Sequence, residues 1–323
     1  MKKICGMVTV FLICAAMTFP SSALAAEITM EVTDLNKGGS LPSYRAGDTL
    51  RIVGSEPLNS DGWETLKGAS VMFILVLEND QTSIPDNAMS MNTALISAAG
   101  TQVTRVGKSA FFGCISLEDV YFPSMATIGD NAFYTCAKLT EITLSNVSSI
   151  GKDAFKGCEK LESVSMPFVE SVFEGAFANC RALTSLGLPA AKTIGRNAFD
   201  GNSALTAISL PAATLIEPRA FYGASSVTEL SLPVVAKIGS EAFSGCESLK
   251  VLRLGDADPS VDKDAFAGVG RITVYSSRKT LTSTNYPPYD MANPGGADSG
   301  GCNAGLHLSA VLLCAVLFLK RAS

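Results

Sequence analysis

The sequence predicts an α/β repeat solenoid, with one short parallel strand plus a turn or short helix in each 22-residue unit. Three observations carry this. First, the phrase Ile-Gly-x-x-Ala-Phe-x-Gly-Cys-x-x-Leu-x-x-Val-x-Leu-Pro recurs through the middle of the 323 residues. Its phenylalanine falls at Phe111, Phe133, Phe155, Phe177, Phe199, Phe221 and Phe243, each 22 residues after the last, and Phe266 follows after 23. A constant period of this length means stacked units, none able to bury its apolar face alone. Second, Leu-x-x-Val-x-Leu, as in Leu205, Ile208 and Leu210, alternates at strand period, and Pro123, Pro167, Pro189, Pro211 or Pro233 ends it. Third, the glycine after the phenylalanine (Gly113, Gly157, Gly201, Gly223, Gly245) suits a left-handed or crowded backbone position that turns the chain back.

Taken in order, residues 1–25 read as a secretory signal peptide. Lys2 and Lys3 precede an apolar run over 8–19, and Ala23 and Ala25 supply the small residues of a cleavage site. The run is too short to span a bilayer. Residues 26–71 match no repeat and are expected to cap the stack. Within them Thr49 to Gly54 reads as a strand between turn-forming residues. The solenoid is expected over 72–275. It opens with a strand at Met72 to Leu77 and a degenerate copy with Met89 in the phenylalanine slot and Asn92 in the cysteine slot. Full copies start at Val106, Ile128, Ile150, Val172, Ile194, Ile216 and Ile238, and a truncated one runs from Val261 to about Tyr275.

Residues 276–299, rich in Pro, Gly, Ser and Thr, are expected to form a flexible spacer. The last segment, 300–323, places Gly300-Gly301-Cys302 before a short apolar stretch (306–319) and Lys320-Arg321. That three-part layout resembles bacterial C-terminal sorting domains, particularly the Synergist-CTERM type. The resemblance implies processing near Gly300, Gly301 and Cys302 and anchoring at the cell surface. A plain membrane tail is the other reading.

The net charge is −5, from 25 basic and 30 acidic side chains. Setting aside Lys2, Lys3, Lys320 and Arg321 leaves 21 against 30, a net −9 between the two ends. An acidic exported surface disfavours nucleic acid and anionic lipid, so membrane contact is expected only through the tail. The only histidine is His307, within the tail. The region before it therefore lacks a Ser-His or Cys-His nucleophile pair and an imidazole metal ligand. No catalytic residue, metal or cofactor is expected.

Cys114, Cys136, Cys158, Cys180 and Cys246 share one slot, with Asn202 and Ala224 in the copies between. Parallel stacking holds their Cβ atoms about 4.8 Å apart, wider than a disulfide's usual ~3.8 Å. A buried thiol ladder packing as small apolar side chains is the expectation.

The repeat phrase Ile-Gly-x-x-Ala-Phe-x-Gly-Cys-x-x-Leu is similar to the BspA-type, or treponemal-type, leucine-rich repeat, over about residues 48–275. The resemblance implies a leucine-rich-repeat solenoid on a bacterial surface, in a family linked to adhesion. Solenoids usually bind on the concave sheet, so the candidate binding residues are its larger outward groups: Asp119, Tyr121, Glu141, Thr143, Glu229 and Arg253. The central copies offer only small groups there, Ser163 and Ser165, Ser185 and Gly187, Ala207 and Ser209. The expected function is adhesin-like binding of a protein or glycan at a cell surface or matrix. The alternative is an envelope scaffold that packs against copies of itself.

Overall fold

The computed structural model describes residues 25–255, 259–276 and 279–282. The repeats wind as a parallel β-solenoid, and the stacking follows from which backbone groups each turn leaves free. In the Ala-Phe half, alternate N–H groups reach the next turn. Asn131 donates to the Lys152 carbonyl (2.9 Å), Phe133 to Ala154 (2.7 Å) and Thr135 to Lys156 (2.8 Å). A residue at positive φ stands two before each of these phenylalanines, such as Asn131 (55°), Asp153 (52°) and Asn197 (54°), and Gly157 or Gly201 follows at 78° or 76°. Left-handed residues at both ends stop the segment from continuing as a helix. The expected alternative of turn or short helix is thus resolved as turn.

Each repeat carries two strands where the sequence predicted one. The first set, including Asp119–Tyr121, Ser163–Ser165 and Glu229–Leu232, corresponds to the Leu-x-x-Val-x-Leu phrase. The second set holds two-residue strands ending at the Ile of Ile-Gly, such as Thr127–Ile128 and Thr193–Ile194. Both sets pair in parallel, with register offsets of 22 residues in the full copies. The Ile-Gly glycine permits close stacking: a Cβ on Gly129 would lie 2.6 Å from the Lys108 nitrogen of the turn before.

Between the two sheets the phenylalanines form a continuous stack from Phe111 to Phe266. Ring centroids lie 5.0–5.4 Å apart at interplanar angles of 3–15°, an offset parallel arrangement. The preceding alanines, the Ile/Val of the second strand and the repeat leucines are buried around it.

The N-terminal cap continues the first sheet. Strand β1 (Glu27–Glu31) pairs with β2 (Asp48–Val53), and β2 with β3 (Phe73–Glu78), all in parallel. Two helices absent from the sequence reading complete it, α1 (Val32–Leu35) and α2 (Ser60–Lys67). The Asn59 side chain accepts from the Gly62 N–H (3.0 Å) and caps α2, which buries Trp63 and Leu66. Asn92, in the first cysteine slot, ties the cap to the repeats. Its amide donates to the Lys67 carbonyl (2.9 Å) at the end of α2, while its oxygen accepts from the Ala94 and Leu95 N–H groups.

Pairing in both sheets stops together at one place, and the first sheet alone has a second break, between Ser185–Gly187 and Ala207–Ser209. The first sheet ends a run at Glu141–Ile142 and resumes at Ser163–Ser165. The second ends at Ser149–Ile150 and resumes at Ser171–Val172. The phenylalanine stack crosses this seam without a gap, Phe155 to Phe177 at 5.2 Å. Phe173, half exposed, stands there in the Ile-Gly glycine position. A Cβ alone does not break the ladder, because Glu217 occupies the same column and the Leu215–Ile216 strand keeps its pairing.

At the far end Thr273–Ser276 pairs antiparallel with Lys279–Thr282, so a strand occupies the start of the expected spacer. Among the described residues no helix is long and apolar enough to cross a membrane.

Candidate surface on the first sheet

Alternation places one residue in two of each first-sheet strand outward, and parallel register arranges them in columns. One column runs Ser97, Asp119, Glu141; its neighbour joins Ala99 to Tyr121. Further along, Ala207, Glu229, Val251 and Thr273 form one column, and Ser209, Ser231, Arg253 and Tyr275 the other. The six predicted residues therefore form two patches. Asp119, Tyr121, Glu141 and Thr143 make the first, and Glu229 with Arg253 the second. The exposed Ser163, Ser165, Ser185, Ala207 and Ser209 lie between them.

In the first patch Ser97 donates its hydroxyl to Asp119 Oδ1 (2.8 Å). Burial pushes the Asp119 carboxyl above its ordinary range, the Ser97 hydrogen bond opposes this, and the Glu118 and Glu141 charges add to the rise. Tyr121 is half-buried, while Glu141 and Thr143 are exposed.

In the second patch the Arg253 guanidinium pairs with the Glu229 carboxylate and lies 4.9 Å from the Tyr275 ring centroid. The guanidinium thus sits between an exposed carboxylate and the ring face. An arginine on an aromatic platform is the type of group that anchors interfaces. Sequence reasoning missed Tyr275, although it lies 22 residues beyond Arg253. It also missed Arg51, an outward residue of β2 bonded to both Glu27 and Glu78.

The expected thiol ladder is present as five unbonded, buried cysteines. Burial raises each thiol's pKa, that of Cys114 and of Cys246 to about 12. A thiol held protonated in this way is a poor nucleophile and metal ligand. Among the described residues no group of three His, Cys, Asp or Glu side chains is placed to hold a metal ion. Ala25 is exposed just before β1. Ala23, Gly300, Gly301, Cys302 and His307 lie outside the described residues.

Comparison with known families decides the fold's affiliation. Six copies of the BspA type leucine rich repeat region match residues 82–206 and 192–287, together more than half of the chain. The chain belongs to the BspA-type leucine-rich repeat family. Among solved structures, a leucine-rich cell surface protein of Faecalibacterium prausnitzii is 26% identical over 61% of this chain and 65% of its own, with a TM-score of 0.49. This chain thus spans somewhat under two thirds of that protein's structure. The Treponema pallidum leucine-rich repeat protein is 23% identical over 55% of this chain and 77% of its own, at TM-score 0.39. The pneumococcal vaccine antigen PcpA is 18% identical over 80% and 85%, at TM-score 0.37. No curated protein matches the chain.

Proposed function

We propose that this BspA-type solenoid is an exported, non-enzymatic binding protein of the cell surface, adhesin-like, which engages a protein or glycan through the outer face of its first sheet. The observation that carries the reading is Arg253, placed between Glu229 and the face of Tyr275 beside a sheet whose middle is small and open. Export and anchoring rest on the signal-like residues 1–25, with Ala23 and Ala25, and on the sorting-like tail at Gly300, Gly301 and Cys302. The F. prausnitzii relative is itself a cell surface protein. No cofactor is invoked.

One observation favours a second reading, an envelope scaffold without a specific ligand: the exposed middle of the sheet is almost featureless, and such a face forms no anchor pocket. The immobilised chain, challenged with isolated envelope and extracellular-matrix fractions, separates the two. Adhesin-like binding gives saturable capture that falls in an Arg253→Ala variant. The scaffold reading gives ordered self-association and no saturable capture.

A further inference from the structure

Strand β3 departs from the other strands of the first sheet. Its Phe73, Leu75 and Leu77 are buried in the core, while the alternate residues Ile74 and Val76 face outward, half-buried. Neither of these two packs against the core. Met72, 37% exposed, precedes them at the same two-residue spacing, beside the equally exposed Val71. Among the described residues no other strand of this sheet turns two large aliphatic side chains outward. Register extends the strip sideways, since Val76 pairs with Ala99 and Ala99 with Tyr121. A bulge opposite Phe73 and Ile74 sets that alignment, its extra residue being Ile96, which is buried apart from the core.

The strip lies in the acidic part of the molecule. Residues 27–143 carry 14 acidic and 7 basic side chains, a net −7, whereas 144–275 carry 14 and 12, a net −2. On one side of the strip Arg51, in the Val76 column, is held by Glu27 and Glu78. On the other stand Glu118, Asp119 and Glu141. The cations there are Lys138, paired with Glu118 (3.2 Å), and Lys160, and both line a hollow beside Asp119. Five carboxylates thus border the strip against three cations. The Glu118 and Glu141 charges act against ionised Asp119, and a cation arriving among the three relieves that repulsion.

Apolar surface bordered at both sides by acidic groups calls for an occupant of the opposite pattern. We propose that this end of the first sheet docks a segment of a partner protein whose short apolar centre is flanked by basic residues. The apolar side chains lie on Met72, Ile74, Val76 and Tyr121, and the lysines or arginines reach Glu27 and Glu78 on one side and Asp119 and Glu141 on the other. From β2 to the Glu141–Ile142 strand the sheet spans four steps of about 4.8 Å, roughly the length of six extended residues. An acidic segment meets like charge there, and a wholly polar cationic one leaves the strip in water. The proposal rests on the reading of this sheet as a binding face and gives its N-terminal end a partner class; Arg253 and Tyr275, at the far end, take no part.

Fluorescence anisotropy tests it, with the full chain titrated into a labelled peptide of alternating leucine and serine flanked by lysine pairs. Two comparators replace the lysines by glutamate or the leucines by serine. Saturable binding of the first peptide is expected, with both comparators weaker by about tenfold or more. Ile74→Thr combined with Val76→Thr keeps branched side chains on the strand and is expected to weaken binding about tenfold with unchanged melting. Should that variant melt early, Met72→Ser and Glu141→Gln, both at exposed positions, are each expected to weaken binding about threefold. Arg253→Ala is expected to leave peptide binding intact, so Arg253-dependent capture of envelope or matrix material stands or falls separately. No binding of the first peptide, equal binding of either comparator, loss of binding in Arg253→Ala, or binding indifferent to the strip variants would overturn the assignment.

Discussion

The Cys158 thiol donates to the Phe133 carbonyl oxygen at 3.2 Å, from one turn back to the turn before it. Cys114, Cys136, Cys180 and Cys246 make the equivalent bond to Met89, Phe111, Phe155 and Phe221. The same Phe133 carbonyl also accepts the Cys136 N–H at 3.1 Å, so the thiol occupies its second lone pair. The cysteine slot is therefore a small buried donor linking successive turns, and packing volume alone does not account for it.

This ladder makes stability sensitive to alkali. Burial keeps each thiol protonated in the folded chain to a higher pH than in the unfolded chain, from an ordinary 9.0 up to about 12 at Cys114. The unfolded chain then releases protons first as pH rises. The contribution is complete below pH 9 and is lost from there towards pH 12, by at most about 1.4 kcal/mol per pH unit and thiol. Urea unfolding across about pH 8 to 10 is expected to show falling stability, with a shallower slope in Cys158→Ala. Superimposable profiles would remove the thiols from the account.

Asn202 breaks the ladder. It sits in the same slot, fully buried, with neither Oδ1 nor Nδ2 hydrogen-bonded within the described residues. Asn202→Cys replaces two unsatisfied polar atoms by the donor that the slot holds elsewhere. The expected gain is about 1–3 kcal/mol in chemical denaturation. A loss of stability would show that the asparagine is satisfied in a way the turn geometry does not reveal.

Phe177 lies in the stack beside the seam, across which the ring contacts continue while both sheets lose their pairing. Phe177→Ala is expected to cost about 3–5 kcal/mol by cavity formation. Across the seam only the stack and the Ala-Phe backbone bonds, such as Phe155 N–H to the Ala176 carbonyl (2.8 Å), continue in unbroken period, so the N- and C-terminal repeats should then melt in two steps. A single transition at the wild-type midpoint would contradict the role given to the stack.

Asn92 couples the cap to the first repeat through the end of α2. Asn92→Ala leaves the Lys67 carbonyl without that donor, and hydrogen exchange in α2 should accelerate while exchange in the Phe199 to Phe243 turns stays as in wild type. Uniform acceleration along the chain would mean that the cap and repeats unfold together.

The period of 22 made the stacked core legible, since Phe, Ala, Leu and Cys recur where burial is complete. The second strand was not legible because two residues such as Thr127 and Ile128 are too few to show alternation. The cap helices escaped for a related reason: α1 is four residues long, and α2 is signalled by little beyond Asn59 at its start. The outward residues followed from alternation. Their separation into two end patches followed too, from the small groups of the central copies; that Tyr275 supports Arg253 did not, because the 23-residue step from Phe243 to Phe266 hides the 22-residue register at which the two pair. The seam at Phe173 has no sequence rule behind it, since Glu217 tolerates the same column.

The central claim, that recognition resides in the outward groups at the ends of the first sheet, is tested most directly by quantitative binding to the envelope and matrix fractions. Wild type is compared with Arg253→Ala, Tyr275→Ala and a Ser163→Ala/Ser185→Ala control. The account predicts saturable binding, lowered about tenfold or more by Arg253→Ala or Tyr275→Ala and unchanged in the serine control. Binding that ignores Arg253 and Tyr275, or that falls only when the central serines change, would contradict it.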